Sequence, residues 1–176
     1  MTTTSIPTGH DARRVLLDLS AMHIRLEQVF DDLSHFERVW RPGEGKWSCA
    51  EVAGHLLDAE IAFGYRIRSA LAEPGLTIGA FDPDRWVAVQ RWNELPVGDT
   101  IQAFQSLRRA TVVLLGPLDD EEWLREYIHS VRGPQSIAQS ALLLASHDAR
   151  HLVQLGRTAE LAREASQRGT GLRKEV

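Results

Sequence analysis

The sequence predicts an all-α fold: a four-helix bundle with one long crossover connection between its second and third helices. Three observations carry that reading. Apolar residues recur at alternating spacings of three and four along four long stretches, the pattern of helices that bury one face. Capping boxes, in which a serine and a residue three places on satisfy each other's backbone N–H groups, open two of those stretches. Strand signals do not rise above short apolar runs. The length of 176 residues, with 43% hydrophobic and 25% charged, fits one globular domain with a core of useful size. The domain is expected to span 1–176, with flexible tails at 1–10 and 167–176.

Each element has its own justification. Val15, Leu19, Met22, Leu26, Val29 and Leu33 form a heptad-like stripe, which predicts a first helix from Asp11 to Arg38. Arg41-Pro42-Gly43-Glu44-Gly45 then reads as a loop. Ser48-Cys49-Ala50-Glu51 is a capping box, with Trp47 and Val52 placed as a hydrophobic staple. The second helix therefore starts at Ser48 and runs to Glu73, where Pro74-Gly75 stops it. Leu76 to Gly98 is a long connection with a short helix near Arg85–Trp92, and connections of this length in small domains are often functional. Asp99 opens the third helix, continued by Phe104, Leu107, Thr111, Leu114 and Leu118. Asp119 to Tyr127 reads as a short helix and His129 to Pro134 as a turn. Ser136-Ile137-Ala138-Gln139 is a second capping box, opening a fourth helix that continues to Ala165.

Composition removes several classes of function. A net charge of −4 offers no basic field for nucleic acid or an anionic membrane. The one cysteine, Cys49, leaves no intrachain disulfide and points to a reducing cytoplasm. Met1 to Gly9 lacks the apolar segment of a signal peptide, and no stretch has the ~18 consecutive apolar residues of a membrane span.

The chemistry lies in the histidines. Ile137, Ala141, Leu144, His147, His151 and Leu155 share one helix face, so two imidazoles one turn apart stand on a stripe that faces inward. His55 takes a similar place on the second helix, between Val52 and Ala59. Three neutral imidazoles from two bundle helices have the ligand set for one metal ion, with positions left for water or substrate. The bland alternative is a set of core histidines satisfied by hydrogen bonds. His10, His23, His35 and His129 build no comparable set and read as surface, cap or loop residues. The spacing is not that of the zincin helix, which needs a glutamate after its first histidine. Here that position holds Asp148, either a partner for an imidazole N–H or a solvated charge.

Trp47 to Leu56 (WSCAEVAGHL) and Ser146 to Leu152 (SHDARHL), together with Phe81–Trp86 and the Arg108–Arg109 region, resemble the DinB/YfiT-like superfamily of bacterial metal-binding four-helix bundles. The resemblance spans most of Asp11 to Ala165. It implies a right-handed bundle with a long crossover after the second helix. It also implies one divalent ion, such as Zn, Ni or Fe, held by His55, His147 and His151, and a homodimer. Two kinds of enzyme come with it: those using a low-molecular-weight thiol such as mycothiol or bacillithiol for transfer or isomerisation, and metal-dependent hydrolases.

An ion with three neutral ligands keeps its full charge and lowers the pKa of a bound water or thiol. The leading expectation is therefore a metal-dependent enzyme activating a thiol cofactor or water for a small-molecule substrate. A non-catalytic dimeric metal-binding bundle and a small-ligand carrier are the alternatives. Asp58, one turn past His55, is a candidate for proton transfer or else a solvent-facing carboxylate. Glu51 is explained by the capping box. Cys49, at a helix N-terminus, is either a stabilised thiolate or a small buried residue. Trp47 reads as the staple. Trp86 and Trp92 line a pocket mouth, cover the bundle end or lie in a dimer seam. Arg150 points off the histidine face, with an ion pair as its default role.

Overall fold

Capping chemistry places the helix starts. In the computed structural model, which describes residues 9–171, the elements in chain order are α1 (Gly9–Asp31), α2 (His35–Val39), α3 (Cys49–Ala72), β1 (Thr77–Ile78), α4 (Pro83–Gln90), a short 3-10 turn (Trp92–Glu94), α5 (Val97–Leu115), α6 (Asp120–Trp123), β2 (Glu126–His129), β3 (Gly133–Ser136) and α7 (Ile137–Gly171). Ser48 caps α3 by accepting from the Glu51 N–H, and the Glu51 carboxylate accepts from the Ser48 N–H at 2.9 Å. Ser136 and Gln139 do the same for α7, at 2.8 and 3.1 Å. The tails expected at 1–10 and 167–176 fall for the most part outside the described residues, and α7 continues past Ala165 to Gly171.

α1, α3, α5 and α7 form the four-helix bundle. α1 packs on α5 and α7, and α3 packs on the same two. Two of the consecutive pairs among these four, α1 with α3 and α5 with α7, therefore sit across the bundle from each other, while α3 and α5 are neighbours. The core has two apolar clusters. One gathers Leu19, Phe63, Leu115, Trp123 and Leu144, the other Met22, Leu56, Trp92, Phe104 and Leu155.

Three expectations are corrected. The first helix does not run unbroken to Arg38. It ends at Asp31, and Ser34 caps α2 through a capping box with Glu37, a local start signal that outweighs the continuing stripe. Secondly, a three-stranded sheet of order β1-β2-β3 is present. β2 and β3 pair antiparallel from Glu126↔Ser136 to His129↔Gly133, and β1 joins in parallel through Thr77↔Ile128 and Ile78↔His129. Its strands are two to four residues long, too short for a period of two to register. Gly133, at φ +74°, supplies the left-handed residue that closes the hairpin. Thirdly, this sheet takes the end of the helix expected at Asp119–Tyr127, which stops at Trp123 although Asp119 and Glu122 form the capping box at its start.

The long connection covers α3. Every residue from Ser48 to Glu60 is buried, as befits a helix enclosed on all sides. The Trp92 indole lies directly on the backbone of Gly54, and a Cβ there would overlap the ring. Gly54→Ala therefore sets ~1 kcal/mol of helix propensity against an overpacking cost of ~1–3 kcal/mol or more. The expected outcome is net destabilisation, read as a lower urea midpoint at unchanged m-value, with altered tryptophan fluorescence.

Candidate metal centre

α3 contributes His55 and α7 contributes His147 and His151, one turn apart on its inner face. The three rings converge. Their centroids are 4.3 Å apart for His147–His151, 4.5 Å for His55–His151 and 4.9 Å for His55–His147. The Nε2 atoms of His55 and His147 stand 2.9 Å apart. One ring nitrogen from each residue lies within 4.8 Å of the others. A tetrahedral centre with metal–nitrogen bonds near 2.0–2.1 Å places its nitrogens roughly 3.3 Å apart, within this range.

The His55 and His151 rings are held neutral, the form that binds metal. Burial first, then the charges of His151 and His147, pushes His55 down to about 3. Burial first, then His147, takes His151 to about 4. His151 Nδ1 lies 2.9 Å from Gln154 Oε1. A carboxamide oxygen only accepts, so with this amide orientation the proton sits on Nδ1 and the Nε2 lone pair faces inward. His147 Nδ1 is buried without a hydrogen bond, 3.6 Å from Asp148 Oδ1. These residues fit a divalent cation: three ring nitrogens close to a common point, one with its far nitrogen anchored and one beside a carboxylate.

A polar layer crosses the bundle beside the triad. Arg108 of α5, 1% exposed, donates from Nε to Glu60 of α3 at 2.7 Å and from Nη1 to the Leu19 carbonyl of α1 at 3.2 Å, and it pairs with Asp148 of α7 at 2.7 Å. Thr111 donates to the second Glu60 oxygen at 2.6 Å, and the guanidinium lies 4.8 Å from the Phe104 ring. Two carboxylates thus face one guanidinium next to His147, an excess of negative charge that favours a neighbouring cation.

The triad forms one wall of a cavity of about 450 Å³, within the size range of small-molecule sites. Trp47, Phe63, Arg66, Phe81, His129 and Leu143 are among its other walls. The Trp47 ring is 4.8 Å from His55 and stacks at 6.1 Å on His151.

A family model of the DinB superfamily matches residues 18–155. The chain belongs to the DinB superfamily. Among similar proteins, "Putative metal-dependent hydrolase OB0413" of Oceanobacillus iheyensis is 26% identical over 148 residues, covering 84% of this chain and 85% of the relative. A Bacillus cereus protein named "Putative metal-dependent hydrolase" is 26% identical over 111 residues, 63% of this chain and 64% of its own length. Among solved structures, that described as "YfiT from Bacillus subtilis is a probable metal-dependent hydrolase with an unusual four-helix bundle topology" matches with a TM-score of 0.83 over 94% of each chain, at 17% identity. That likeness speaks for the fold.

Within this DinB bundle the other candidates fall into place or move. Asp148 is 3% exposed, so the solvated reading is overturned; α5 covers it with Arg108. Asp58 is 2% exposed because the long connection lies over it. It accepts from Gln90 at 3.1 Å and lies outside the cavity lining, which leaves the proton-transfer reading without geometry. Cys49 is fully buried and burial pushes its thiol up to about 12, so it is the small buried residue and not a thiolate. Trp47 packs with the cluster containing Val52, as a staple would, and also walls the cavity. Trp86 lies against Phe81, their rings 4.7 Å apart. Arg150 lines the cavity with no ion pair to any described residue. His129, read as a turn residue, is buried in β2 and lines the cavity. The side chain of His10 lies outside the described residues. Sequence reasoning missed Glu60, Arg66 and the partners of Arg108. Charged residues on the mostly apolar α3 were the available signal.

Two outcomes follow from the buried charges. Arg108→Met leaves Glu60 and Asp148 buried and uncompensated, so it is expected to destabilise by ~3–5 kcal/mol. Adding Glu60→Gln and Asp148→Asn should restore part of this in urea denaturation. Burial raises the Asp58 carboxyl from 3.8 to about 6, with Gln90 and Trp92 hydrogen bonds opposing. The folded state therefore holds this proton more tightly than the unfolded chain. Folding loses stability as pH rises between those two values, and the loss is complete above the higher. Asp58→Asn removes the effect, so its stability relative to wild type should improve by about 1–3 kcal/mol between pH 4 and pH 7.

Proposed function

We propose that the protein is a metal-dependent enzyme whose single divalent cation is held by His55, His147 and His151 and whose small-molecule substrate occupies the adjoining cavity. The observation that carries this reading is the convergence of three imidazole nitrogens at the wall of that cavity. A satisfied-histidine core would pair each ring with its own acceptor, yet the far nitrogens of His55 and His147 are buried without a hydrogen bond. When bound, such an ion lowers the pKa of a coordinated nucleophile and polarises an electrophile.

The chain's own side chains prepare the site for that chemistry. Gln154 sets the His151 tautomer. Asp148 stands ready to take the N–H of His147, and Arg108 holds Asp148 in position. Trp47, Phe63 and Leu143 supply apolar walls that keep bulk water from the reacting centre and strengthen electrostatic interactions there. The activated nucleophile is water or a low-molecular-weight thiol. The names of the relatives support water, and with it hydrolysis.

Elemental analysis tests the reading. The purified protein, or the protein titrated with Zn²⁺ and Ni²⁺, is expected to bind one divalent ion per chain. His55→Ala and His151→Ala should lose it, and Asp148→Asn should weaken its binding by about 10–100-fold. A wild-type chain that takes up neither ion, with a metal content unchanged by His151→Ala, overturns the proposal.

A further inference from the structure

We infer that Arg66 anchors an oxyanion of the substrate, a carboxylate or a phosphate, so that the cavity takes anionic small molecules. This rests on the reading of the cavity as the substrate site.

Arg66 lies on α3 three turns beyond His55, about 16 Å further along the axis. Side chains on a helix lean toward its N-terminus, which brings the guanidinium back toward the histidines. Phe63 stands between them, its ring 6.5 Å from the His147 ring and 5.3 Å from the Arg66 guanidinium carbon. Arg66 is 5% exposed and lines the cavity.

Its partners set it apart from Arg108. That buried arginine faces two carboxylates, whereas Arg66 has no carboxylate partner among the described residues. It makes one long hydrogen bond, 3.5 Å to the Gly79 carbonyl, and its Nε is buried without any. The Phe63 and Phe81 rings flank it at 5.3 and 5.9 Å, and such flanking fixes a guanidinium without neutralising it. A charge withdrawn from water this far costs several kcal/mol unless it is compensated. The donors it leaves unused match a planar or tetrahedral oxyanion.

Neighbouring groups point the same way. His129 Nδ1 accepts from the Val131 and Arg132 N–H groups at 3.1 and 3.4 Å, so the ring proton sits on Nε2 as a second donor. Arg132 and Arg150 are exposed and line the same cavity, against one lining carboxylate, Asp84. Three guanidiniums converge on one cavity of a chain whose net charge is −4. Charge concentrated against the overall sign steers and holds an anion. Phe63 sets the separation, with the oxyanion held on one side of its ring and the reacting atom on the other.

The test follows the arginine Nε–Hε signals by NMR in the full chain, both chelator-treated and Zn²⁺-loaded. Inorganic phosphate and succinate are titrated separately, and the Arg66 signal is identified by its loss in Arg66→Lys. A saturable shift of that signal with either probe, in both forms of the protein, is the expected result. Phosphate alone assigns a phosphate group to the ligand, and succinate alone assigns a carboxylate. Arg66→Lys, folded by circular dichroism, should weaken binding on the order of tenfold or more. An Arg66 signal that neither probe moves overturns the inference, and this needs only the wild-type chain. Zn²⁺ uptake without that shift removes the anion site and leaves the metal reading. The shift without uptake of Zn²⁺ or Ni²⁺ does the reverse.

Discussion

The buried charge layer at Arg108 is the constraint on which the rest of the bundle depends. One guanidinium touches all three other long helices: Glu60 on α3, Asp148 on α7 and the Leu19 carbonyl on α1. Placing these groups in a core has a large desolvation cost, recovered only when the pairing geometry is right. Helix registers that slide by one residue break several of these contacts together. The layer therefore selects one relative placement of four helices whose apolar stripes, taken alone, tolerate several. Asp148 follows His147 directly in the chain, so the same pairing fixes the α7 backbone at the histidines.

The Arg108 layer and the histidine triad lie where the two apolar clusters meet. On α7, His147 and His151 fall between Leu144 of one cluster and Leu155 of the other. On α3, His55 falls between Val52 of one cluster and Ala59 and Phe63 of the other. A bundle core interrupted at mid-height by a polar layer leaves room for a site there, as in other helical bundles that carry their ligands on inward faces. The long connection and the small sheet then close the site. The connection turns α3 into an enclosed helix and brings Phe81 to the cavity, and β2 delivers His129.

The cavity is chemically divided. At one end stand three imidazoles, those of His55 and His151 kept neutral by burial. Toward the other stands a guanidinium with no neutralising side chain among the described residues, on the far side of an aromatic ring. A centre that activates a nucleophile benefits from substrate held at a distance from the reacting atoms, because binding energy gained remotely is used for orientation. That division fits the proposed enzyme reading of the cavity.

The chain by itself determined the four amphipathic helices, the caps at Ser48 and Ser136, and the inward placing of His55, His147 and His151. Each is a local matter, set by spacings of three and four residues or by a serine and its partner three places on. Tertiary structure alone decided that Asp58 and Asp148 are buried, that Glu60 and Arg108 pair, that Arg66 faces the histidine cavity without a counter-charge among the described residues, and that His129 belongs to a strand. Those facts depend on which distant segment covers a given helix face. Periodicity shows that a residue lies on a face, but the partner that encloses it comes from the way the long connection folds back over α3 and the way Arg108 of α5 reaches across the bundle to α7.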